Sequence, residues 1–254
     1  MITRIMDNIV EMEGIMRCSR YSFGPNRLHY CGPDANAELK DLIKYGESNL
    51  GLVYLLKQFK TLYPYLKHIA SVNNIHDPFD SKVVEAYWLG NELLETIEKR
   101  PFHNFIIDDL RIKDKMDRKE FLWLEDKIGQ GALPHHSFHV FNIWRLAGDN
   151  NIANSIEGMN ECRVSSGIIT FISGPNITVL TEPLVYLNGK FSMGTPFNRV
   201  LTRHLESEYD IEQIKIGNIV SIHWGVPCEV ITEKQQKTLK KYTLKNIAFA
   251  NQTL

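Results

Sequence analysis

Hydrophobic residues follow two different spacings along this chain. Between Asn36 and Gly131 they recur at three- and four-residue steps, as in Leu52, Leu55, Leu56, Phe59, Leu62 and Tyr63, which predicts helices with one buried face. Pro64 falls within or just after that run and is expected to bend or end it. Asp80 or Ser81 can cap the next helix, which would carry Val84, Tyr87, Trp88, Leu94 and Ile97 and stop at Pro101. Phe121, Leu124 and Ile128 form a further stripe, broken at Gly129 to Gly131. Upstream, Met1 to Met16 reads as a short amphipathic helix or a frayed arm. Phe23 to Asp34, with Gly-Pro twice, reads as a bent, stiff patch.

After Asn160 the runs are short and separated by turn residues. Ile168, Ile169, Phe171 and Ile172 precede Ser173-Gly174-Pro175-Asn176, and Ile177 to Leu180 resume, so two strands flank a turn. Asn188-Gly189 between Val185-Tyr186-Leu187 and Lys190 to Met193 predicts a hairpin with a type I′ turn. Ile219 to Trp224 is another strand, and Thr232 with Gln235 forms a capping box for a last helix holding Leu239, Tyr242 and Ile247. Short strands at such spacing suggest a small barrel. The expected architecture is therefore α+β: an all-helical domain over residues 1–150, then a small OB-like β-barrel with a terminal helix over 160–254. The polar stretch from Gly148 to Asn160 is read as the linker.

Composition narrows the function classes. A hydrophobic share of 43% is enough for a packed core, and 29 Lys+Arg against 30 Asp+Glu leaves a net charge of −1, without the concentrated basic face that nucleic acid requires. No apolar run reaches membrane-spanning length, and the acidic start of the chain does not read as a secretory signal. Cys18, Cys31, Cys162 and Cys228 show neither knuckle spacing nor a disulfide framework, which points to a reducing cytoplasm. Walker, Gly-x-Gly-x-x-Gly and Gly-x-Ser-x-Gly elements do not occur, so no nucleotide cofactor is expected.

The remaining chemistry lies in cysteine and histidine. Cys162, at the start of the first strand, and His223, late in the β-unit, can converge on one centre. Thiolate and imidazole suit iron, zinc and nickel better than magnesium or calcium. His135, His136 and His139 form a second cluster. His135 and His139 share a face on either a helix or a strand, but no glutamate sits between them as in zinc proteases. Cys31, in Tyr30-Cys31-Gly32-Pro33 just before a helix, is placed for a lowered thiol pKa and could join that cluster with His29 nearby. The plainer alternatives are packing cysteines and histidines bonded to backbone. Cys228, beside Pro227, is a possible third ligand for which burial is the simpler reading.

The segment from Cys162 and Gly167 to Gly217-Asn218-Ile219-Val220-Ser221-Ile222-His223-Trp224-Gly225 resembles the HypC/HupF hydrogenase-maturation chaperones. That family has a cysteine, a Gly-containing first strand, a compact barrel, a Gly-x-x-Val-x-x-His-x-Gly segment and a terminal helix. The resemblance implies a chaperone that holds an iron-centred fragment on Cys162 and His223. Its partner would be a maturation protein or the precursor of a nickel–iron hydrogenase large subunit. Cys162 is internal here, whereas the family cysteine is N-terminal, and its flank Arg163-Val164-Ser165-Ser166 lacks the family's Gly-Ile-Pro run. The whole chain is also similar to an uncharacterised bacterial family sharing the Tyr30–Pro33 element and Pro134-His135-His136-Ser137-Phe138-His139. A second reading is a metal-dependent enzyme with its site in the helical domain, at Cys31 and the histidine cluster, and with the barrel regulatory or oligomerising.

Overall fold

The computed structural model describes residues 2–44 (side chains from residue 14), 50–147, 155–204 and 214–254. The helical part runs α1 (Ile2–Arg27), α2 (Asn36–Lys44), α3 (Leu50–Lys57), α4 (Leu62–Val72), α5 (Ser81–Trp88), α6 (Glu92–Glu95), α7 (Lys99–Asn104) and α8 (Arg118–Gly129). Shorter segments α9 (His136–Phe138) and α10 (Arg145–Ala147) follow, then α11 (Ile156–Cys162). Strands β1 (Ser165–Ser173), β2 (Asn176–Thr181), β3 (Leu184–Leu187), β4 (Lys190–Met193), β5 (Phe197–Thr202), β6 (Ile219–His223) and β7 (Val226–Ile231) lead to α12 (Glu233–Ala250).

Several local expectations hold for reasons of capping and turn chemistry. The Asp80 side chain accepts from the Lys82 amide at the start of α5, and Thr232 and Gln235 close a reciprocal capping box on α12. Asn188 and Gly189 both have positive φ, 54° and 78°, and Leu187 pairs with Lys190 across a two-residue turn.

Others are corrected. Pro64 does not end a helix. It sits in the first turn of α4, where its missing amide hydrogen costs nothing. The helix carrying Tyr87 and Trp88 stops at Gly90 (φ 87°), so Leu94 and Ile97 lie beyond it and Pro101 lies inside α7. The first helix runs on through Gly24 and Pro25 to Arg27, well past Met16, and the chain turns only at His29 (φ 59°). Residues 148–154 of the expected linker lie outside the described residues, whereas Ile156–Cys162 is helical.

The sheet is not a barrel. Its strand order is β5-β2-β1-β6-β7, all antiparallel, with β5 and β7 as separate edges. The β3–β4 hairpin, which a barrel would need in its wall, pairs only with itself among the described residues. Leu184 and Phe191 pack with Met159 of α11 and Ile247 of α12 instead. The β7 edge strand lies against α1: Cys228 is buried there, and its carbonyl accepts from Arg20.

Helix α1 joins the two halves of the chain. Tyr21 is fully buried, stacks on Trp88 of α5 (5.1 Å), and its hydroxyl lies 2.8 Å from both Ser221 Oγ and Glu229 Oε1. Arg17 pairs with Glu229 (3.0 Å) and Glu85 (3.4 Å). One buried cluster contains Tyr21, Leu66 and Phe102 from the helical part together with Val164, Val226, Ile231 and Leu239 from the C-terminal part. Each such large apolar side chain contributes about 1.5–3 kcal/mol on burial.

Candidate metal centre

Three side chains from three separate elements meet at the boundary of helices and sheet. His136 of α9, Cys162 at the end of α11 and His223 at the end of β6 have potential ligand atoms all within 4.8 Å of one another. The two histidine rings meet edge to face with centroids 5.1 Å apart, and Trp88 lies 4.5 Å from one and 5.2 Å from the other. A tetrahedral ion with bonds of about 2.0–2.3 Å needs donors roughly 3.4–3.7 Å apart, so small rotamer adjustments complete the site.

His223 is aimed by a proline almost two hundred residues earlier in the chain. Pro25 lacks the amide hydrogen that would bond the Tyr21 carbonyl in a regular helix. His223 Nδ1 takes that carbonyl at 2.7 Å. Nδ1 therefore carries the proton, and the buried Nε2, which has no hydrogen-bond partner, keeps its lone pair. Gly24 permits the approach: a Cβ there would lie 2.6 Å from the His223 carbonyl oxygen. After His223, the Trp224–Gly225 turn (φ 50° and 70°) reverses the chain, and the Trp224 amide donates to the Glu161 carbonyl at 2.9 Å. That bond ties the histidine strand to the cysteine helix. The sequence-expected strand position of Trp224 is thus a turn position.

Cys162 ends a helix capped by Ser155, whose hydroxyl accepts from the Gly158 amide. The chain then becomes extended at Arg163, leaving the Cys162 carbonyl to lie 2.7 Å from His136 Nε2. Tyr87 Oη is 3.1 Å from His136 Nδ1. In this arrangement Nε2 donates to the carbonyl and Tyr87 donates to Nδ1. Ligation through Nε2 requires the proton to move to Nδ1, where Tyr87 then accepts it.

Burial sets the protonation states. It holds His223 down at about 4, partly offset by the Tyr21 carbonyl. It pushes His136 well below the ordinary imidazole range, helped by repulsion from a protonated His223. Both rings are neutral, which is the ligand form. Burial also raises the Cys162 thiol, aided by nearby Cys31 and opposed by the indole N–H of Trp224. The thiol is therefore protonated at neutral pH.

The cluster opens onto a cavity of about 100 Å³ lined largely by aromatic residues, among them Tyr30, Phe59, Tyr87, Trp88 and Trp224. Cys31 and His139 also line it. Cys31 does not gain the lowered pKa expected of a helix N-terminus. α2 begins five residues later, and burial lifts the thiol to about 11 against the Gly32 amide. His139 begins a π-helical segment (His139–Trp144), a local widening common at functional sites. Its Nδ1 lies 3.3 Å from Tyr65 Oη, and burial lowers it to about 3.

The expected pairing of His135 with His139 does not form. His135 caps α9 through Nδ1, which accepts from the Ser137 amide, and its ring stacks on Tyr242 at 5.0 Å, away from the cavity. The capping break in the helix turns His136 toward Cys162. His29 is exposed beside Asp34 (3.2 Å), and Cys228 is buried with its thiol on the Val226 carbonyl, outside the cluster. The supporting roles of Tyr21 and Tyr87 were missed from sequence. A proline inside a helix, freeing a carbonyl four residues back, was the available signal for Tyr21.

Among the described residues, no helix is long and apolar enough to cross a membrane. No curated protein and no solved structure matches the chain, and the hydrogenase-maturation resemblance draws no support from these comparisons. Residues 10–254 match one sequence family, and the chain belongs to it: the family of unknown function DUF6390.

Proposed function

We propose that the protein is a metal-dependent enzyme with a single transition-metal ion held by His136, Cys162 and His223. The observation that carries this reading is the convergence of three soft or borderline donors, all within 4.8 Å, at the wall of an apolar cavity. Two imidazoles and one thiolate suit zinc or iron(II), and three protein donors leave a position open for water or substrate. Such an ion supplies Lewis acidity and a nucleophilic hydroxide near neutral pH. The surrounding residues have definable tasks. Tyr21 and Tyr87 orient the ligand rings, the aromatic walls exclude bulk water, and neutral His139, bonded to Tyr65 through Nδ1, offers a polar group to a ligand in the cavity. With only about 100 Å³ available, the reacting part of the substrate is small.

The site differs from the sequence expectation of an active centre confined to the helical segment, because His223 comes from the sheet. The hydrogenase-maturation reading uses Cys162 and His223 as a temporary holder for iron. Burial of His136 and His223 (6% and 1% exposed) favours a resident ion over one passed between proteins.

Metal content of protein purified without oxygen tests both readings. About one equivalent is expected in wild type, with loss in Cys162→Ala, His136→Ala and His223→Ala. Slow release to a chelator supports the enzyme, whereas rapid release with co-purifying hydrogenase precursor supports the carrier. Equal metal content in wild type and all three variants refutes the site.

A further inference from the structure

A second cleft, of about 240 Å³, lies between the β1–β2 face and α12 and is lined by none of His136, Cys162 and His223. Its walls differ in character. On the apolar side, Ile168 and Leu180 are cross-strand partners and are 41% and 40% exposed, and Leu244 of α12 is 44% exposed. Branched side chains left open together mark a surface that is completed by something apolar.

The polar side carries excess positive charge. Among the described lining residues, Arg163, Lys237 and Lys240 stand against one acid, Glu182, and Lys237 also lies 3.6 Å from Glu233. Lys240 lies 2.8 Å from the Glu182 carboxylate, and Arg163 Nη2 donates to the Glu182 carbonyl (2.6 Å) and to Asn160 Oδ1 (3.0 Å). Arg163 is only 4% exposed, yet its Nε has no hydrogen-bond partner. The guanidinium carries a positive charge. A buried guanidinium with an unused N–H is costly unless an acceptor arrives.

We infer that this cleft binds an organic acid carrying an apolar chain, with the carboxylate at Arg163 and Lys240 and the chain against Ile168, Leu180 and Leu244. The volume suits roughly ten non-hydrogen atoms, judged against a 150 Å³ cavity that holds benzene. A bare inorganic anion leaves the apolar wall uncovered, and a neutral alcohol brings no charge to the cations beyond the one that Glu182 balances.

Isothermal titration of the full chain with octanoate, acetate and 1-octanol tests the assignment. Octanoate is expected to bind at least about tenfold more tightly than either control, a difference of about 1.4 kcal/mol. Lys240→Glu should weaken octanoate about tenfold. Leu244→Ser should weaken octanoate while leaving acetate unchanged. Both sites are exposed enough for the variants to fold. The same result is expected with metal-free protein, which separates this inference from the metal centre. Octanoate binding no tighter than acetate or octanol, or unchanged in either variant, overturns it.

Discussion

Acid should unfold the metal-free protein well above the pH at which its carboxylates titrate. Four imidazoles, His135, His136, His139 and His223, are held neutral, chiefly by burial. Their folded pKa values are depressed, to about 3 for His135 and His139 and about 4 for His223, and to well below the ordinary value for His136. In the unfolded chain each takes up a proton near about pH 6.5. The stability these groups contribute is therefore fully present above that pH and is lost as pH falls toward the folded values. From about pH 7 to about pH 5 the loss is about 2 kcal/mol per imidazole, or about 8 kcal/mol for four, independent of how far below 5 each folded value lies. That rivals the about 5–15 kcal/mol that holds a typical domain together. Urea unfolding across this range, with the chelated protein, measures it. In His135→Gln the pH-dependent loss should shrink by about 2 kcal/mol. A total loss below about 3 kcal/mol would refute the claim that these rings are buried and neutral.

Pro25→Ala restores an amide donor to the Tyr21 carbonyl and so competes with His223 Nδ1. Metal affinity should fall about 10–100-fold, measured by cobalt titration, and an unchanged affinity contradicts the orienting role. Tyr21→Phe removes the hydroxyl that meets Ser221 and Glu229 but keeps the carbonyl. It should cost about 1–3 kcal/mol in urea melts and leave cobalt binding intact. At Gly90, φ is 87° and a Cβ would lie 2.3 Å from Tyr242 Cδ2. Gly90→Ala should therefore destabilise by more than about 1 kcal/mol in thermal unfolding, and a neutral result would sink the close approach of α5 to α12.

Local rules were legible in the sequence because they act over a few residues. The capping box at Thr232 and Gln235, the cap at Asp80 and the Asn188–Gly189 turn each depend on groups three residues apart or fewer. The sequence also narrowed the candidate donors to a few cysteines and histidines, and Cys162 and His223 do meet. Strand spacing, however, says nothing about edge closure. Whether β3–β4 joined a barrel wall depended on the apolar faces of α11 and α12 competing for Leu184 and Phe191.

The choice of His136 over His135 and His139 also lay beyond periodicity. All three are the same residue type within one short segment, and their roles separate only through Ser137, Tyr242, Tyr65 and the Cys162 carbonyl. Sequence by itself determined which side chains are candidate metal donors and where the helices capped by Asp80 and Thr232 begin. Tertiary structure decided which of them share one centre, because ring orientation is set by partners such as Tyr21 that are near in space and remote along the chain.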